Sequence, residues 1–465
     1  MRHILTAVLA VLAVLTLGMT AHAQTSDALD SFIMRQMERS NAPGLAYAVV
    51  DGAESRAEGA GMTRSGGETP VTAQTLFRIG SVSKSFTALA IVQLGERGAL
   101  DLDDPVSVHL SAFEGQAPIS LRQLLSHTSG YSTVQGNSAA HGLTLAQRAA
   151  RLAADGPAQT PGSGWAYSNA NYQILGAVIE AVSGEAYADY VTTSILSPLG
   201  MTSTRVQTDA PVEGLATGHQ PFFFGRRAVQ TSGGEAASAP SGGVISSAGD
   251  MALYLSMMLN GQDDVISAAA KADMLRPASD ASPYYGLGWA LDLEGGYALH
   301  TGLTPGFEAI AVLEPAQQRG VVVLVNASGG MGFSEVYPLL YGVTNLALGE
   351  PYEGAGADWG AKSLYLLFLL MPAAYLAASI GAFVQRDGLR AKSGLFGQIS
   401  LWLPLAMSGV LALVLLWVVP GLFGTTLGGL ALYQPDLVIL LYASVITSAI
   451  WALLRLLIAH TGPRL

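Results

Sequence analysis

Cysteine is absent from the 465 residues, so the chain cannot form disulfides, thiolate zinc sites or a thiol nucleophile. Charge is scarce as well. Charged residues make up 12% of the chain and hydrophobic residues 50%, a composition that is too apolar for a purely soluble protein and predicts membrane segments. The formal net charge of -11 and the lack of any basic run argue against nucleic-acid binding.

Lysine is rare among the basic residues. Only four of the 23 are lysines, at positions 84, 271, 362 and 392, and arginine supplies nearly all of the positive charge. Arginine does not give up its proton in proteins, whereas a lysine shielded from water loses its preference for the charged form. A lysine beside a nucleophile would therefore fit catalysis, and a buried or surface lysine is the ordinary alternative.

The stretch from Phe77 to Gly98 carries the clearest catalytic pattern. Apolar residues at helical spacing follow the break at Gly80, so Ser81 is predicted to open a helix of about five turns. Ser81 and Lys84 are three positions apart and share one helix face, which allows the hydroxyl to meet the amine. A neutral amine could take the serine proton, and the helix N-terminus favours the negative charge of acyl transfer. Ser-x-x-Lys alone arises by chance about once in a chain of this length, so further groups are needed.

Two other segments supply candidate groups. In the polar loop Trp-Ala-Tyr-Ser-Asn, residues 165–169, Tyr167 and Asn169 project the same way if the loop is extended, giving a phenol for proton relay and an amide to hold substrate. His300 could orient a substrate carboxylate or share in proton transfer. Gly302 would allow close backbone approach, so that the amide of the following Leu303 could face an oxyanion. Taken singly, Tyr167 and His300 are more often structural.

Together these segments resemble the three-part signature of the penicillin-recognising serine hydrolases, in the branch of class C β-lactamases, DD-peptidases and related esterases. Other blocks similar to that family occur in its order over residues 27–348, among them LLSHTSG, SPLGM, SSAGDMALYL and YGLGW. The three motifs that carry the resemblance are Ser81-x-x-Lys84, Tyr167-x-Asn169 and His300-x-Gly302.

The resemblance implies a role for each matching position. Ser81 would be the acylated nucleophile, with Lys84 and Tyr167 as the proton-shuttling pair. Asn169 would bind the substrate amide, and the oxyanion would lie between the backbone N–H groups of Ser81 and Leu303. The family mechanism is acyl-enzyme formation followed by transfer to water, without metal or cofactor.

The match departs from the family at one informative position. The β-lactamases of this branch usually carry lysine where this chain has His300, so efficient penicillin hydrolysis is not expected. Histidine there is more similar to esterases, D-amino-acid peptidases and prodrug-activating peptidases. The histidines outside the membrane show no metal-binding spacing, and His127 in LLSHTSG is interpreted as a structural hydrogen-bonding residue.

The pattern of elements predicts an α+β fold, a β-lactamase-like antiparallel sheet flanked by helices with a helical lobe, over residues 24–350. The expected strands are Leu45 to Asp51, Ala53 to Gly61, 286–293, 307–314 and 320–326. Besides the serine helix, the expected helices are Ser26 to Arg39, Asn171 to Ser183, Ser247 to Asn260 and about Phe333 to Leu348.

Both ends of the chain indicate export to a membrane. Residues 1–23 have the pattern of a signal peptide that ends in an A-x-A site. After a linker at 351–362, residues 363–459 form a predicted transmembrane domain whose three helices are Ser363 to Val384, Ile399 to Phe423 and Leu437 to Leu454. Basic residues lie between the first two spans and in the tail, which places those parts in the cytoplasm and the hydrolase domain outside.

The sequence therefore predicts a multi-pass protein of the inner membrane with its catalytic domain in the periplasm. Its activity is predicted to be that of a serine peptidase or amidase on D-amino-acid-containing amides, with membrane lipid as its other partner and no nucleic acid. The layout resembles periplasmic peptidases of the colibactin-maturing, prodrug-activating type. The alternatives are an esterase, a DD-carboxypeptidase or weak β-lactamase, and a non-enzymatic sensor of cell-wall fragments or scaffold.

Overall fold

The computed structural model describes residues 28–137, 142–229, 235–333, 335–354 and 358–461. The predicted signal peptide, residues 1–23, lies outside the described residues.

A six-stranded antiparallel sheet forms the centre of the hydrolase domain. Its order is β2-β1-β11-β10-β9-β8, so the first strand of the domain pairs with the last. A three-stranded sheet, β3-β7-β4, and the hairpin β5-β6 lie apart from it. The strands are β1 Gly44–Asp51, β2 Glu54–Gly61, β3 Phe77–Arg78, β4 Arg205–Val206, β5 His219–Phe222, β6 Gly225–Ala228, β7 Val244–Ser246, β8 Ala290–Asp292, β9 Tyr297–Thr304, β10 Phe307–Glu314 and β11 Arg319–Val325.

Helices cover both faces of this sheet and form a separate lobe. The helices are α1 over residues 28–40, α2 Ser83–Glu96, α3 Leu121–Leu125, α4 Thr133–Gly136, α5 Leu145–Asp155, α6 Asn169–Ser183, α7 Tyr187–Val191, α8 Ala239–Gly242, α9 Ala248–Leu259, α10 Ala268–Met274, α11 Tyr337–Ala347, α12 Trp359–Val384, α13 Arg386–Arg390, α14 Gly394–Leu413, α15 Val419–Leu422, α16 Leu427–Tyr433 and α17 Pro435–His460.

The side chains of the sheet alternate between two hydrophobic cores. On β1, Ala46 and Ala48 face the core shared with α2, α6 and α9, whereas Leu45 and Tyr47 face the core shared with α1 and α11. Successive strand residues point to opposite faces, so a strand buried on both sides is apolar at every position. The predicted α+β architecture with a helical lobe is confirmed.

The predicted strand at 286–293 is shorter than expected. Only Ala290–Asp292 pairs with β9, and the preceding glycines are used for close packing. Gly288 has φ +80, and a Cβ there would lie 2.8 Å from the Ala88 Cβ of α2. A strand that the expected set lacked, Tyr297–Thr304, lies between β8 and β10 and carries the His300-x-Gly302 motif.

The three predicted spans are long apolar helices. They cover Trp359–Val384, Gly394–Leu422 and Pro435–His460, each long and apolar enough to cross a membrane. The second runs through α14, a π-helical stretch at Val414–Val418 and α15. Each helix starts a few residues before the sequence-based boundary because apolarity marks the part of a helix suited to lipid and not the helix end itself.

Candidate active site

Ser81 lies on a sharp turn at the start of α2. Gly80 has φ +52, a left-handed conformation that suits glycine, and residues Gly80–Val82 form a 3-10 turn that leads directly into the helix. The Ser83 hydroxyl donates to the Gly80 carbonyl at 2.6 Å and fixes this turn. Ser81, which is predicted to open the helix, therefore lies in the 3-10 turn two residues before α2 begins, and Lys84 is the second residue of α2.

Lys84 is completely buried and points at the serine. Its Nζ lies 3.0 Å from Ser81 Oγ, 2.7 Å from Asn169 Oδ1 and 2.6 Å from the Ser241 carbonyl oxygen. Burial lowers the pKa of Lys84 well below that of a free lysine. A neutral amine has two N–H groups and one lone pair. If Asn169 and Ser241 accept the two protons, the lone pair faces the serine hydroxyl.

Tyr167 closes the other side of the serine. Burial raises the pKa of Tyr167, the interaction with the Ser81 hydroxyl works against that shift, and the charge of Tyr433 adds to it. The phenol therefore stays protonated at neutral pH. Lys84 Nζ lies 4.9 Å from the centre of the Tyr167 ring. The structure brings the hydroxyl, amine and phenol together as the sequence predicts.

Asn169 begins α6 and bridges two side chains. Its Oδ1 accepts from Lys84 Nζ, and its Nδ2 donates to Asn137 Oδ1 at 2.9 Å. Gly136 allows this approach, because a Cβ on Gly136 would lie only 2.4 Å from the Asn169 backbone nitrogen. The asparagine predicted to hold substrate is thus itself held between two neighbours.

The predicted oxyanion site is built by two glycines in direct contact. A Cβ on Gly80 would lie 2.6 Å from the Leu303 backbone nitrogen, and a Cβ on Gly302 would lie 1.9 Å from the Ile79 carbonyl oxygen. Only glycine at both positions lets β9 approach the turn that carries Ser81. The backbone nitrogens of Ser81 and Leu303 thereby lie on the two facing segments, as expected for an oxyanion site.

His300 is buried and engaged at both ring nitrogens. Nε2 lies 3.0 Å from the Tyr285 hydroxyl, and Nδ1 lies 2.7 Å from the Thr301 carbonyl oxygen. Burial lowers the pKa of His300 to about 3, so the ring is neutral at physiological pH. The histidine is therefore not a cation that could pair with a substrate carboxylate.

His127 has a structural environment. Its Nδ1 accepts from the Ser168 backbone N–H at 3.2 Å and lies 2.9 Å from Asn171 Nδ2. Its ring packs 4.5 Å from the centre of the Tyr167 ring and 4.9 Å from that of Tyr285. His127 thus supports the tyrosine loop from behind, in agreement with its interpretation as a structural residue.

Three contributors to the site have no signal in the sequence. The Ser241 carbonyl binds Lys84, Tyr285 binds His300, and Asn137 binds Asn169. The first is a backbone atom, so its residue type carries no information. No group of three or more histidines, aspartates or glutamates that could hold a metal ion occurs in the part of the chain that the structure describes.

Comparison with known proteins gives a consistent family match. A family model described as Beta-lactamase matches residues 29–341. The chain is 27% identical over 355 residues to Penicillin-binding protein 4* of Bacillus subtilis (strain 168), covering 70% of this chain and 75% of that protein. It is 28% identical over 316 residues to Protein flp of Staphylococcus aureus (strain COL), covering 64% of this chain and 62% of flp, less than two thirds of its length.

Solved structures match the same region. The octameric penicillin-binding protein homologue from Pyrococcus abyssi aligns with a TM-score of 0.60 and 26% identity, over 70% of this chain and 78% of that one. The D-amino acid amidase from Ochrobactrum anthropi SV3 aligns with a TM-score of 0.58 and 24% identity, over 70% of this chain and 98% of that one. At this identity the second match shows a common fold only.

Proposed function

The chain belongs to the beta-lactamase family and is a serine hydrolase, and we propose that it is a membrane-anchored peptidase or amidase that cleaves amides containing D-amino acids. The observation that carries the proposal is the 3.0 Å approach of the buried Lys84 amine to the Ser81 hydroxyl. A deprotonated lysine within hydrogen-bond reach of a serine is the arrangement that activates a hydroxyl for attack on an acyl group.

In the proposed acylation step, Ser81 Oγ attacks the substrate carbonyl carbon while its proton passes to Lys84 Nζ. The negative charge on the carbonyl oxygen is stabilised by the backbone N–H groups of Ser81 and Leu303. When the C–N bond breaks, the Tyr167 phenol gives its proton to the leaving amine and regains one from Lys84. The products are a free amine and an ester of Ser81.

Deacylation uses the same groups in the reverse sense. A water molecule attacks the ester carbonyl and gives its proton to the basic pair Lys84 and Tyr167, and Ser81 Oγ leaves with a proton returned by that pair. The raised pKa of Tyr167 and the lowered pKa of Lys84 both favour the uncharged forms of these groups between steps. A pair that starts neutral can pass a proton in either direction.

The neutral His300 favours an uncharged amide over a substrate recognised by its carboxylate. Penicillins and D-Ala-D-Ala peptides carry a carboxylate next to the reacting group, and this histidine, with a pKa lowered to about 3, offers it no positive charge. The D-amino acid amidase shares the fold. These points support amide hydrolysis of the prodrug-activating type as the proposed activity.

We also propose that the protein is exported and held in the inner membrane with the hydrolase domain in the periplasm. The support comes from three apolar helices, the signal-peptide pattern at 1–23 and the basic residues between the first two spans. Small peptides or amides would reach the site from the outer side, and lipid would surround the helices.

A fluorophosphonate probe tests the nucleophile, and a substrate panel tests the class. The full-length protein in detergent should be labelled, and the Ser81→Ala variant should not be. Acyl-D-asparagine amides should compete with labelling better than D-Ala-D-Ala peptides or penicillin do. Equal labelling of both proteins would remove the assignment of Ser81, and binding of muropeptides without turnover would favour the sensor alternative.

A further inference from the structure

The segment that joins the second and third membrane helices is docked on the hydrolase domain. We call residues 423–434, between Leu422 and Pro435, the outer loop. Its last residue, Gln434, is buried and forms two hydrogen bonds with the backbone of Met331. Gln434 Nε2 donates to the Met331 carbonyl at 2.7 Å, and Oε1 accepts from the Met331 N–H at 2.9 Å. Just beyond it, the fully buried Asp436 accepts from the Phe223 N–H at 2.8 Å.

A chain of hydrogen bonds runs from the outer loop to the buried lysine. Asn137 Nδ2 donates to the Gly424 carbonyl at 3.2 Å, and Asn137 Oδ1 accepts from Asn169 Nδ2 at 2.9 Å. Asn169 Oδ1 in turn accepts from Lys84 Nζ at 2.7 Å. Three hydrogen bonds therefore connect a backbone carbonyl of the membrane domain to the amine beside Ser81.

The direction of this chain is set at its membrane end. A backbone carbonyl can only accept a hydrogen bond, so Asn137 must turn its Nδ2 toward Gly424 and its Oδ1 toward Asn169. Asn169 must then present Nδ2 to Asn137 and Oδ1 to Lys84. If the Asn169 amide were flipped, its NH2 group would face the lysine N–H groups, and two donors would oppose each other. The Gly424 carbonyl thus selects the orientation in which the lysine is satisfied.

A second contact runs through Thr133, the first residue of the short helix α4 that ends beside Asn137. The Thr133 hydroxyl donates to the Tyr167 carbonyl at 2.6 Å, and the Thr133 methyl group lies 3.2 Å from the position of a Cβ on Gly424. The outer loop therefore contacts Thr133 and Asn137, and these two residues bind Tyr167 and Asn169 of the Tyr167-x-Asn169 motif.

We propose that the outer loop is a positioning element of the active site, which fixes the Asn169 amide through the Gly424 carbonyl and Asn137. The membrane domain is then part of the catalytic unit and not only its anchor. The proposal deepens the proposed function and rests on it, because Asn169 is the residue expected to bind the substrate amide. Asn137 and Gly424 act through Asn169 and touch no substrate themselves.

The test is a double-mutant cycle in the full-length protein in detergent, with Gly424→Ala, Asn137→Leu and the double variant. Gly424 has φ +63, and an added Cβ would press on Thr133, so the substitution displaces the carbonyl. Gly394→Ala is the matched control, because Gly394 has φ +67 in the same domain and a Cβ there meets nothing within 4 Å.

The readout is kcat/KM for an N-acyl-D-asparagine p-nitroanilide and for p-nitrophenyl acetate, with the melting temperature to confirm folding. In each single variant we expect kcat/KM to fall about tenfold for the anilide and roughly threefold for the ester. The difference is expected because only the anilide has an amide for Asn169 to hold. The double variant should lose no more than the worse single one, because both break the same chain.

Losses that multiply in the double variant, wild-type rates in Gly424→Ala, or an equal loss in Gly394→Ala would overturn the positioning role. These outcomes are distinct from failure of the proposed function. That failure would show as a wild-type protein that neither turns over the two substrates nor reacts with a fluorophosphonate at Ser81, and the positioning proposal would fall with it.

Discussion

The Lys84 amine lies 3.0 Å from the Ser81 hydroxyl, fully buried and without a carboxylate partner among the ion pairs of the described residues. A buried ammonium without a counterion is costly, so the site favours the neutral amine.

Replacement of the amine should separate catalysis from stability. In Lys84→Met we expect kcat/KM to fall roughly 10²–10⁴-fold, the range for loss of a general base, with the melting temperature unchanged or higher because a buried amine is removed. Lys271→Met is the control: this buried lysine pairs with Asp264 at 2.7 Å, so its loss should lower stability and spare turnover. Activity within threefold of wild type in Lys84→Met would contradict the role.

The pH dependence of the activity follows from the lowered pKa of Lys84. The base works when it is deprotonated, so kcat/KM should rise with pH through the pKa of Lys84, and burial places that pKa well below 10.5. The acid limb should therefore lie at lower pH than the titration of an exposed lysine. A steady-state profile from pH 5 to 10 measures it, and activity that appears only above pH 9 would show that the lysine is charged at rest.

The glycine contact at the oxyanion site should not tolerate a methyl group. A Cβ on Gly302 would lie 1.9 Å from the Ile79 carbonyl oxygen, so Gly302→Ala must push β9 away from Ser81. We expect a loss in kcat of roughly 10²–10³-fold, as for removal of an oxyanion donor. Gly164→Ala, whose Cβ would meet nothing within 4 Å, is the control and should match wild type in rate and melting temperature.

The buried His300 should make the protein sensitive to acid. Its pKa is lowered to about 3 in the folded protein and is about 6.5 when exposed, so the unfolded chain binds the extra proton between these values. Stability is therefore complete above pH 6.5 and is lost as the pH falls, by about 2 kcal/mol at pH 5. The melting temperature should fall less between pH 7 and pH 5 in His300→Gln than in the wild-type protein. An equal fall in the two proteins would contradict this assignment.

The docking of the outer loop can be tested by a disulfide. A Cβ at position 424 would lie 3.7 Å from the Thr133 Cβ, within the range of about 3.5–4.5 Å found in disulfides. The chain has no cysteine of its own, so Thr133→Cys combined with Gly424→Cys gives a single possible pair. We expect near-complete bond formation under mild oxidation, read as a mobility shift after proteolysis between the two domains. Free thiols in folded protein would mean that the loop lies elsewhere.

The sequence was sufficient for the elements and groups whose signal is local. A few neighbouring residues are enough to recognise the turn and helix at Ser81, the tyrosine loop and Gly302. Periodicity and motif spacing are local properties of the sequence. The order of these motifs carried the family resemblance and with it the fold.

The contacts that the sequence could not supply are those between distant segments. Asn137 and Gly424 are 287 positions apart, and neither has a chemical character that singles it out. The Ser241 carbonyl that binds Lys84 is independent of its side chain. Tyr285 lies near His300 because β9 turns back beside the preceding segment, and no local pattern in the sequence marks the ends of that strand.

The pairing of β1 with β11 has a consequence for biosynthesis. Leu45 lies opposite Val325, so the sheet closes only after nearly the whole hydrolase domain has left the ribosome. A nascent chain that ends before β11 contains Ser81 and Lys84 but lacks the strand that joins β10, and with it β9 and Leu303, to β1. Fragments that end before β11 are therefore not expected to be active enzymes.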